Sequence, residues 1–312
     1  MSAASRKRAA AAADQEPRVD GGNKKRPRYA FGSIYDYEKL EVLGEGAYGQ
    51  VLMARDRRSG KKVAVKWIRG CGDGGHGPPD FRALIREAGL QAACRGHPSI
   101  VEILDVVGDA KTGDMFIVME LVAGGRSLRE EIWRPLSEHV TRVMMRQLVD
   151  AAKKIHGAGI IHRDIKPENV LVGMFGGLKV CDFGAATRQK PAGVPYEDSR
   201  VGTMIYTSPE QLAGNRNYGT AVDMWALGCV MAELLGGETL FEAESEKDML
   251  AEVSKLREQI ESTGKLDREW FAELSEPGRE VLMGMLAFCP EERLTAAQVL
   301  EHRWFSKSSV SA

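Results

Sequence analysis

Residues 43–51 read LGEGAYGQV and place glycines at positions 44, 46 and 49. The spacing G-x-G-x-x-G fits two unrelated nucleotide-binding architectures, or a hairpin tip that binds nothing. The flanking segments 37–46 and 49–68 alternate apolar and polar residues, and Ser59-Gly60 marks a turn within the second. A dinucleotide-binding loop must open a helix. Because this loop joins strand to strand, we exclude the dinucleotide-binding fold, and the other two interpretations stay open.

Length and composition set the broad class of protein. The chain has 312 residues, 43% hydrophobic and 28% charged, with a net charge of -1. It is long enough for one large domain or two modest lobes. Its fractions of hydrophobic and charged residues and its net charge are those of an ordinary soluble enzyme. We therefore expect no nucleic-acid partner. No run of 18 apolar residues and no signal-peptide pattern occurs, so we expect neither membrane insertion nor secretion. The five scattered cysteines indicate reduced thiols.

The N-terminal residues 1–36 differ in composition from the rest. They contain an alanine run at Ala9–Ala13 and basic clusters at 6–8 and 24–28, without apolar periodicity. We expect a disordered tail here, and a second short tail at 306–312. The basic clusters fit either a nuclear import signal or a solvated tail, so both nucleus and cytoplasm stay open as locations.

Several short motifs follow the glycine loop in a fixed order. A lysine ends the strand Val63-Ala64-Val65-Lys66, and Glu87 lies in a predicted helix. Residues 162–169 then read HRDIKPEN, and residues 182–184 read DFG. Each motif alone has an ordinary structural explanation, but this ordered set resembles the signatures of eukaryotic protein kinases. Through SPE at 208–210, DMW at 223–225 and Arg293, the resemblance covers residues 37–305.

The resemblance implies an α+β bilobal protein kinase fold. We expect a small β-rich N-lobe with one main helix at 37–122 and a larger, mostly helical C-lobe at 123–305. The apolar spacing after Ser137 predicts a helix with Ser137 as its N-cap. Residues 221–235 are apolar nearly all round, which predicts a central helix. Asp223 would be a buried carboxylate that binds the catalytic loop or an ordinary helix cap, and Arg293 would pair with Glu210 or be solvated.

The chemistry of phosphoryl transfer explains these residue types. The reaction needs positioning and charge neutralisation, because its loose transition state carries charge on the phosphoryl oxygens. By resemblance, ATP and Mg²⁺ are the expected cofactors, with Lys66 on the phosphates, Glu87 holding Lys66, and Asn169 and Asp182 as metal ligands. Asp164 would accept or orient the proton of the substrate hydroxyl, and Lys166 would neutralise the moving phosphate. The expected nucleotide contacts are Leu43, Gly44, Glu45, Gly46, Ala47, Tyr48, Gly49, Gln50, Val51, Ala64, Lys66, Glu120, Val122 and Leu171.

The lysine in HRDIKPEN resembles the serine/threonine class, so we expect protein substrates with serine or threonine acceptors and not tyrosine. A monomeric catalytic subunit is expected. The rival hypothesis is a pseudokinase, a binding module that keeps the fold and signals by contacts alone. The presence of Lys66, Glu87, Asp164, Asn169 and Asp182 favours the active enzyme.

The phrases YEKLEVLGEGAYGQV at 37–51, HPSIVEILDVV at 97–107 and HRWF at 302–305 resemble cyclin-dependent kinases, and among them the divergent plant F group. Three features depart from that pattern. The helix segment FRALIRE at 81–87 keeps only the last three residues of the PSTAIRE-type sequence, so a cyclin partner is left open and not predicted. Gly202 and Thr207 stand where proline-directed members usually have valine and arginine, so a preference for proline is not predicted either.

The helix around Glu87 has further unusual residues. Gly89 lies mid-helix, where glycine costs about 1 kcal/mol relative to alanine. Gln91 takes a place that the family usually fills with an apolar residue, and a glycine-rich insert at 70–77 precedes the helix. These features predict a loosely held helix.

The activation segment, residues 182–210, lacks the usual phosphothreonine. By alignment back from SPE, that position falls on Asp198, beside Glu197. The resemblance implies that Arg86 and Arg163 would grip the group there, and a carboxylate can accept the same hydrogen bonds with less charge than phosphate. We therefore expect partial activity without phosphorylation. The alternative is that both carboxylates are solvated and Ser199 is phosphorylated instead.

Overall fold

The computed structural model describes residues 31–46, 49–68 and 80–306. The predictions for Ala47, Tyr48, the glycine-rich insert and the basic clusters of the tail lie outside the described residues. No helix among the residues described is long and apolar enough to cross a membrane.

A six-stranded sheet forms the N-terminal lobe, in the order β1-β5-β6-β4-β3-β2. Its strands are β1 Gly32–Ser33, β2 Tyr37–Gly46, β3 Gly49–Asp56, β4 Lys62–Ile68, β5 Ile103–Gly108 and β6 Met115–Glu120. β2 and β3 are antiparallel and bring Gly46 opposite Gly49, so the glycine loop is a hairpin tip, as predicted. The turn at Ser59-Gly60 is also confirmed, since Gly60 has a φ of +70° between β3 and β4.

The sheet begins earlier than the sequence predicts. The tail was expected to extend to residue 36, but Gly32 and Ser33 pair in parallel with Val107 and Gly108 of β5. A Cβ on residue 32 would lie 2.8 Å from an oxygen of Asp105, so glycine permits this close approach. Tyr35 then donates a hydrogen bond of 2.8 Å to Asp109. Such pairing between distant segments leaves no local signal in the sequence.

In the described part of this lobe the α-helix is α1 Phe81–Ala92, which starts at Asp80, whose carboxylate accepts from the backbone N–H groups of Arg82 and Ala83. Leu84, Glu87 and Gln91 are buried. The Gln91 amide donates to the carbonyl of Val101 at 2.8 Å, which ties the helix to the segment before β5. The Gln91 Oε1 atom has no hydrogen-bond partner among the described residues.

The larger lobe is mostly helical, as predicted. Its helices are α2 Leu128–Glu131, α3 Glu138–Gly157, α4 Pro209–Leu212, α5 Ala221–Gly236, α6 Glu246–Thr263, α7 Glu269–Glu273, α8 Glu276–Met285, α9 Ala296–Glu301 and α10 Arg303–Ser306. Its short strands are β7 Arg126–Ser127, β8 Ile160–Ile161, β9 Val170–Val172, β10 Leu178–Val180 and β11 Thr187–Arg188. Ser137 caps α3, and α5 is the predicted central helix, with Trp225 fully buried. The bilobal α+β expectation is confirmed.

Arg293 joins the end of the activation segment to the helical core. Its guanidinium donates to both oxygens of Glu210, at 2.8 and 3.0 Å, and to the Ala221 carbonyl at 2.9 Å. The Arg293 and Glu210 side chains are 0% and 7% exposed. This arrangement is the predicted ion pair and not a solvated arginine.

We expect Arg293→Ala to lower the free energy of unfolding by about 3 to 5 kcal/mol, because it leaves the Glu210 carboxylate buried without its counter-charge. Denaturant unfolding followed by circular dichroism measures the change. The matched control is Arg303→Ala, which breaks ion pairs to Glu276 and Glu280 at an exposed surface and should cost far less. Equal losses in the two variants would contradict the assignment.

Candidate active site

A lysine between two carboxylates lies where the two lobes meet. Lys66 on β4 donates to Glu87 of α1 at 2.7 Å and to Asp182 at 2.9 Å. The Lys66 and Glu87 side chains are 7% and 8% exposed. α1 therefore stands in the position that lets Glu87 reach the lysine. The sequence predicted the Lys66–Glu87 pair, and the structure brings its members together.

The charges of this cluster follow from burial and mutual attraction. Burial alone would lower the pKa of Lys66, but Glu87 and Asp182 outweigh it and raise the pKa above its ordinary value. Burial would raise the pKa of Asp182, but Lys66 and the Gly184 N–H lower it. Burial raises the pKa of Glu87 more than Lys66 lowers it. At neutral pH the lysine is protonated and Asp182 is ionised.

The catalytic loop, residues 162–169, assembles a second cluster around Asp164. The Asn169 amide donates to one Asp164 carboxylate oxygen at 2.9 Å, and the Thr203 hydroxyl donates to the other at 2.8 Å. Lys166 donates to Thr203 at 2.6 Å and lies 3.2 Å from the Asp164 carboxylate. The cluster thus fixes Asp164 between an amide, a hydroxyl and a cation.

Asp223 at the start of α5 binds the backbone of the catalytic loop. Its carboxylate accepts the backbone N–H groups of His162 at 2.9 Å and Arg163 at 2.8 Å, and contacts the His156 ring at 2.8 Å. Burial would raise the pKa of Asp223, but these hydrogen bonds and the nearby His156 lower it. Arg163 has a φ of +67°, which is unusual for a residue with a side chain. The predicted role of Asp223 as a receiver of catalytic-loop hydrogen bonds therefore fits its geometry better than an ordinary cap.

A cleft of about 740 Å³ separates the lobes, within the range of small-molecule sites. The predicted nucleotide-contact residues that line it are Leu43, Gly44, Gly49, Val51, Ala64, Lys66, Glu120, Val122 and Leu171, together with the predicted metal ligands Asn169 and Asp182. Glu45, Gly46 and Gln50 lie in the adjoining hairpin, where Glu45 pairs with Gln50.

Residues 119–125, which connect the two lobes, line one side of the cleft and are mostly apolar or glycine. The Glu120 side chain turns away to Lys179 at 2.7 Å and to the Glu102 N–H at 2.8 Å. Farther along, the Ser127 hydroxyl donates to Glu130 at 3.0 Å within the N-terminal capping box of α2. Glu130 also lines the cleft and was missed, because its role depends on this local cap.

Two residues of the activation segment were also missed as parts of the site. The Thr203 hydroxyl hydrogen-bonds both Asp164 and Lys166. Gly202 has a φ of +97° and lies next to the catalytic loop. A Cβ at Gly202 would lie 2.1 Å from the Arg163 carbonyl oxygen. The pair Gly202-Thr203, upstream of SPE at 208–210, was the available signal in the sequence.

The structure does not place the Asp198 carboxylate where a phosphate substitute was expected. Asp198 is exposed, and among the described residues it is contacted only at its backbone carbonyl, which accepts from the Tyr218 hydroxyl at 3.1 Å. Arg163 instead donates to the Ala185 carbonyl at 2.7 Å and to the Tyr218 hydroxyl at 3.0 Å. Arg86 reaches the Gly184 carbonyl at 3.5 Å. The prediction that the Asp198 carboxylate takes the place of a phosphate held by Arg86 and Arg163 is therefore wrong.

A two-lobed fold with a lysine–glutamate pair above the cleft and an aspartate–asparagine–lysine loop below it defines a protein kinase. The family model described as "Protein kinase domain" matches residues 37–305, and the chain belongs to that family. It is a serine/threonine protein kinase of the kind that cyclin-dependent kinases represent, and ATP is the substrate that the family implies.

Comparison with known proteins supports this placement. The chain is 41% identical over 305 residues to a putative cyclin-dependent kinase F-2 of Oryza sativa subsp. japonica, covering 87% of this chain and 90% of that relative. It is 34% identical to cyclin-dependent kinase G1 of Arabidopsis thaliana, covering 88% of this chain and 49% of the relative. It is 32% identical to mitogen-activated protein kinase 15 of Rattus norvegicus, covering 85% and 53%. The chain thus spans about half the length of these last two proteins.

We expect Gly202→Ala to reduce kcat on the order of 100-fold, because the new Cβ displaces the loop that positions Asp164. Steady-state phosphorylation of a serine/threonine peptide measures kcat. The control is Gly176→Ala, which has a φ of +76° and open space around the new Cβ. That substitution should cost about 1 to 2 kcal/mol of stability from the left-handed backbone, with kcat unchanged. Similar kcat values for both variants would refute the steric argument.

Proposed function

We propose that this kinase transfers the γ-phosphoryl group of ATP to serine and threonine hydroxyls of proteins, with Asp164 orienting the acceptor. The observation that carries the proposal is the continuity of the site. Asp164 is hydrogen-bonded to Asn169, which lines the same cleft as Asp182, and Asp182 in turn pairs with Lys66. The residues that we propose for the acceptor, the metal and the phosphates thus follow one another from Asp164 into the cleft.

The residues fit a magnesium ion on their donor chemistry. Asp182 uses Oδ1 for Lys66 and the Gly184 N–H, while its second oxygen receives no hydrogen bond from the described residues. Asn169 uses its amide NH₂ for Asp164, which directs its carbonyl oxygen away from that contact. An ionised carboxylate oxygen and an amide oxygen suit a hard cation such as Mg²⁺. When bound, the ion would neutralise charge on the phosphate oxygens.

In this proposal Lys66 holds the nontransferred phosphates, and Glu87 fixes the direction of its ammonium group. The hairpin glycines let backbone N–H groups approach the phosphates closely. Asp164 accepts a hydrogen bond from the acceptor hydroxyl, and Lys166 lies beside it to offset negative charge on the transferred group. Leu43, Val51, Ala64 and Leu171 enclose the adenine, and the backbone of Glu120 and Val122 selects it.

The rival function, a pseudokinase that acts only by contacts, has less support. A scaffold gains nothing from a buried lysine held by two carboxylates, because such a cluster carries a desolvation cost. We propose a monomeric catalytic subunit that acts in the nucleus or cytoplasm on protein substrates, without nucleic-acid or membrane partners. A cyclin remains a candidate partner through α1, since relatives carry that name.

Removal of the proposed acceptor-orienting carboxylate tests the function. We expect Asp164→Asn to lower kcat by about 100- to 10,000-fold, because general-base or orienting groups contribute that much. Binding of a fluorescent ATP analogue should be nearly unchanged, because Asp164 lies outside the residues that line the cleft. A variant with full kcat would refute the assignment, and loss of nucleotide binding would indicate a disrupted fold.

The Lys66–Glu87 pair should behave as one unit. We expect Lys66→Met and Glu87→Gln each to reduce kcat/KM, and the double variant to lose little more than the worse single variant, because coupled residues are non-additive. A double-mutant cycle on kcat/KM measures the coupling. Losses that multiply fully would show that the two side chains act independently.

A further inference from the structure

The side chain of Arg163, the arginine of the catalytic loop, is hydrogen-bonded to uncharged groups. Within the part of the chain that the structure describes, the Arg163 side chain forms no ion pair with a carboxylate. Its Nε atom donates to the Ala185 carbonyl at 2.7 Å, and its NH1 atom donates to the Tyr218 hydroxyl at 3.0 Å. Its guanidinium carbon also lies 5.9 Å from the centre of the Tyr196 ring, within cation–π range.

The two tyrosines form a buried stack. Their ring centres are 4.5 Å apart with an interplanar angle of 21°. Tyr196 and Tyr218 are 3% and 9% exposed, and they pack with Ile161 of β8 and Val222 of α5. Tyr196 comes from the activation segment, whereas Tyr218 lies in the loop before α5. The stack therefore joins the segment to the part of the lobe that also supplies Asp223.

Hydrogen bonds to the backbone of the segment hold it on either side of this stack. The Tyr196 N–H donates to the Arg216 carbonyl at 2.8 Å, and the side-chain Nε of Arg216 donates to the Tyr196 carbonyl at 2.5 Å. The Tyr218 hydroxyl donates to the Asp198 carbonyl at 3.1 Å. Five residues beyond Asp198, Thr203 contacts Asp164. Placement of the stack thus determines where the segment meets the catalytic aspartate.

We propose that Tyr196 and Tyr218 are positioning residues that hold Arg163 and the activation segment together, so that the unphosphorylated chain is catalytically competent. Burial and ring stacking hold the Arg163 guanidinium in place, a role that a negatively charged group would otherwise fill. The stack provides one acceptor, the Tyr218 hydroxyl, and a π face for the guanidinium, and the burial of its two rings strengthens these contacts. This inference rests on the proposed phosphotransfer function, with Asp164 as the group being positioned.

The first arm of the test measures the wild-type protein after phosphatase treatment, with mass spectrometry confirming the absence of phosphate. The probe is the best-phosphorylated member of a serine/threonine peptide library. We expect kcat to change less than about twofold on treatment, and Ser199→Ala to match wild type, because the contacts around Arg163 involve no phosphate. A treated enzyme that is inactive, and recovers when its segment is phosphorylated, overturns the inference while leaving the function intact.

The second arm removes the stack one feature at a time. Tyr218→Phe keeps the ring and loses the hydroxyl, and we expect kcat to fall about 10-fold, because a hydrogen bond from a charged donor is lost. Tyr196→Leu removes the ring and should lower kcat about 5- to 10-fold. Tyr196→Phe keeps the ring and should restore kcat to near wild type. The KM for ATP should stay unchanged in all three, because Lys66, Glu87 and Asp182 are untouched.

The matched control is Tyr35→Phe, which removes a hydroxyl from an exposed hydrogen bond to Asp109 on the other lobe. It should leave kcat and both KM values unchanged. Wild-type kcat in Tyr196→Leu and Tyr218→Phe would overturn the inference, as would a rise in the KM for ATP equal to the loss of kcat. If wild type and Asp164→Asn show the same residual rate in every state, the phosphotransfer function itself fails, and the inference fails with it.

Discussion

The catalytic centre depends on the buried carboxylate of Asp223. A short peptide segment cannot by itself hold Arg163 at a φ of +67°, because that conformation is costly for a residue with a side chain. The hydrogen bonds from the backbone of His162 and Arg163 to Asp223 offset this cost. They fix the path of the loop on the rigid, fully packed helix α5. Asp164 and Asn169 then project from a backbone whose position is set by the core of the lobe.

The activation segment completes the same construction from the other side. Gly202 approaches the Arg163 carbonyl closely enough to exclude a side chain, and Thr203 supplies a hydroxyl to Asp164. Arg293 and Glu210 fix the end of the segment to α5 and the loop after α8. Asp164 is therefore held by α5, through the catalytic loop, and by the activation segment. Its geometry requires both to be in place at once.

The sequence predicted the parts of this arrangement that have local signatures. The strand alternation around the glycine loop, the N-cap at Ser137 and the apolar α5 each follow from short-range periodicity, and each is found in the structure. The Asp198 prediction failed because it assumed that position along the segment fixes a side chain's contacts. The stacked Tyr196 and Tyr218 are 22 residues apart and meet only through tertiary packing. β1 likewise depends on pairing with β5, far along the chain.

Because the sheet begins at Gly32, part of the outer edge of β5 is paired. A strand at the rim of a sheet presents unpaired N–H and carbonyl groups that can recruit a strand from another molecule. Gly32 and Ser33 occupy part of that rim on β5, and they are followed at once by a short 3₁₀ turn at Ile34–Asp36. The added strand is too short to offer a continuous ladder of its own. These two residues pair with part of the β5 edge and so leave fewer unpaired backbone groups there for a strand of another molecule.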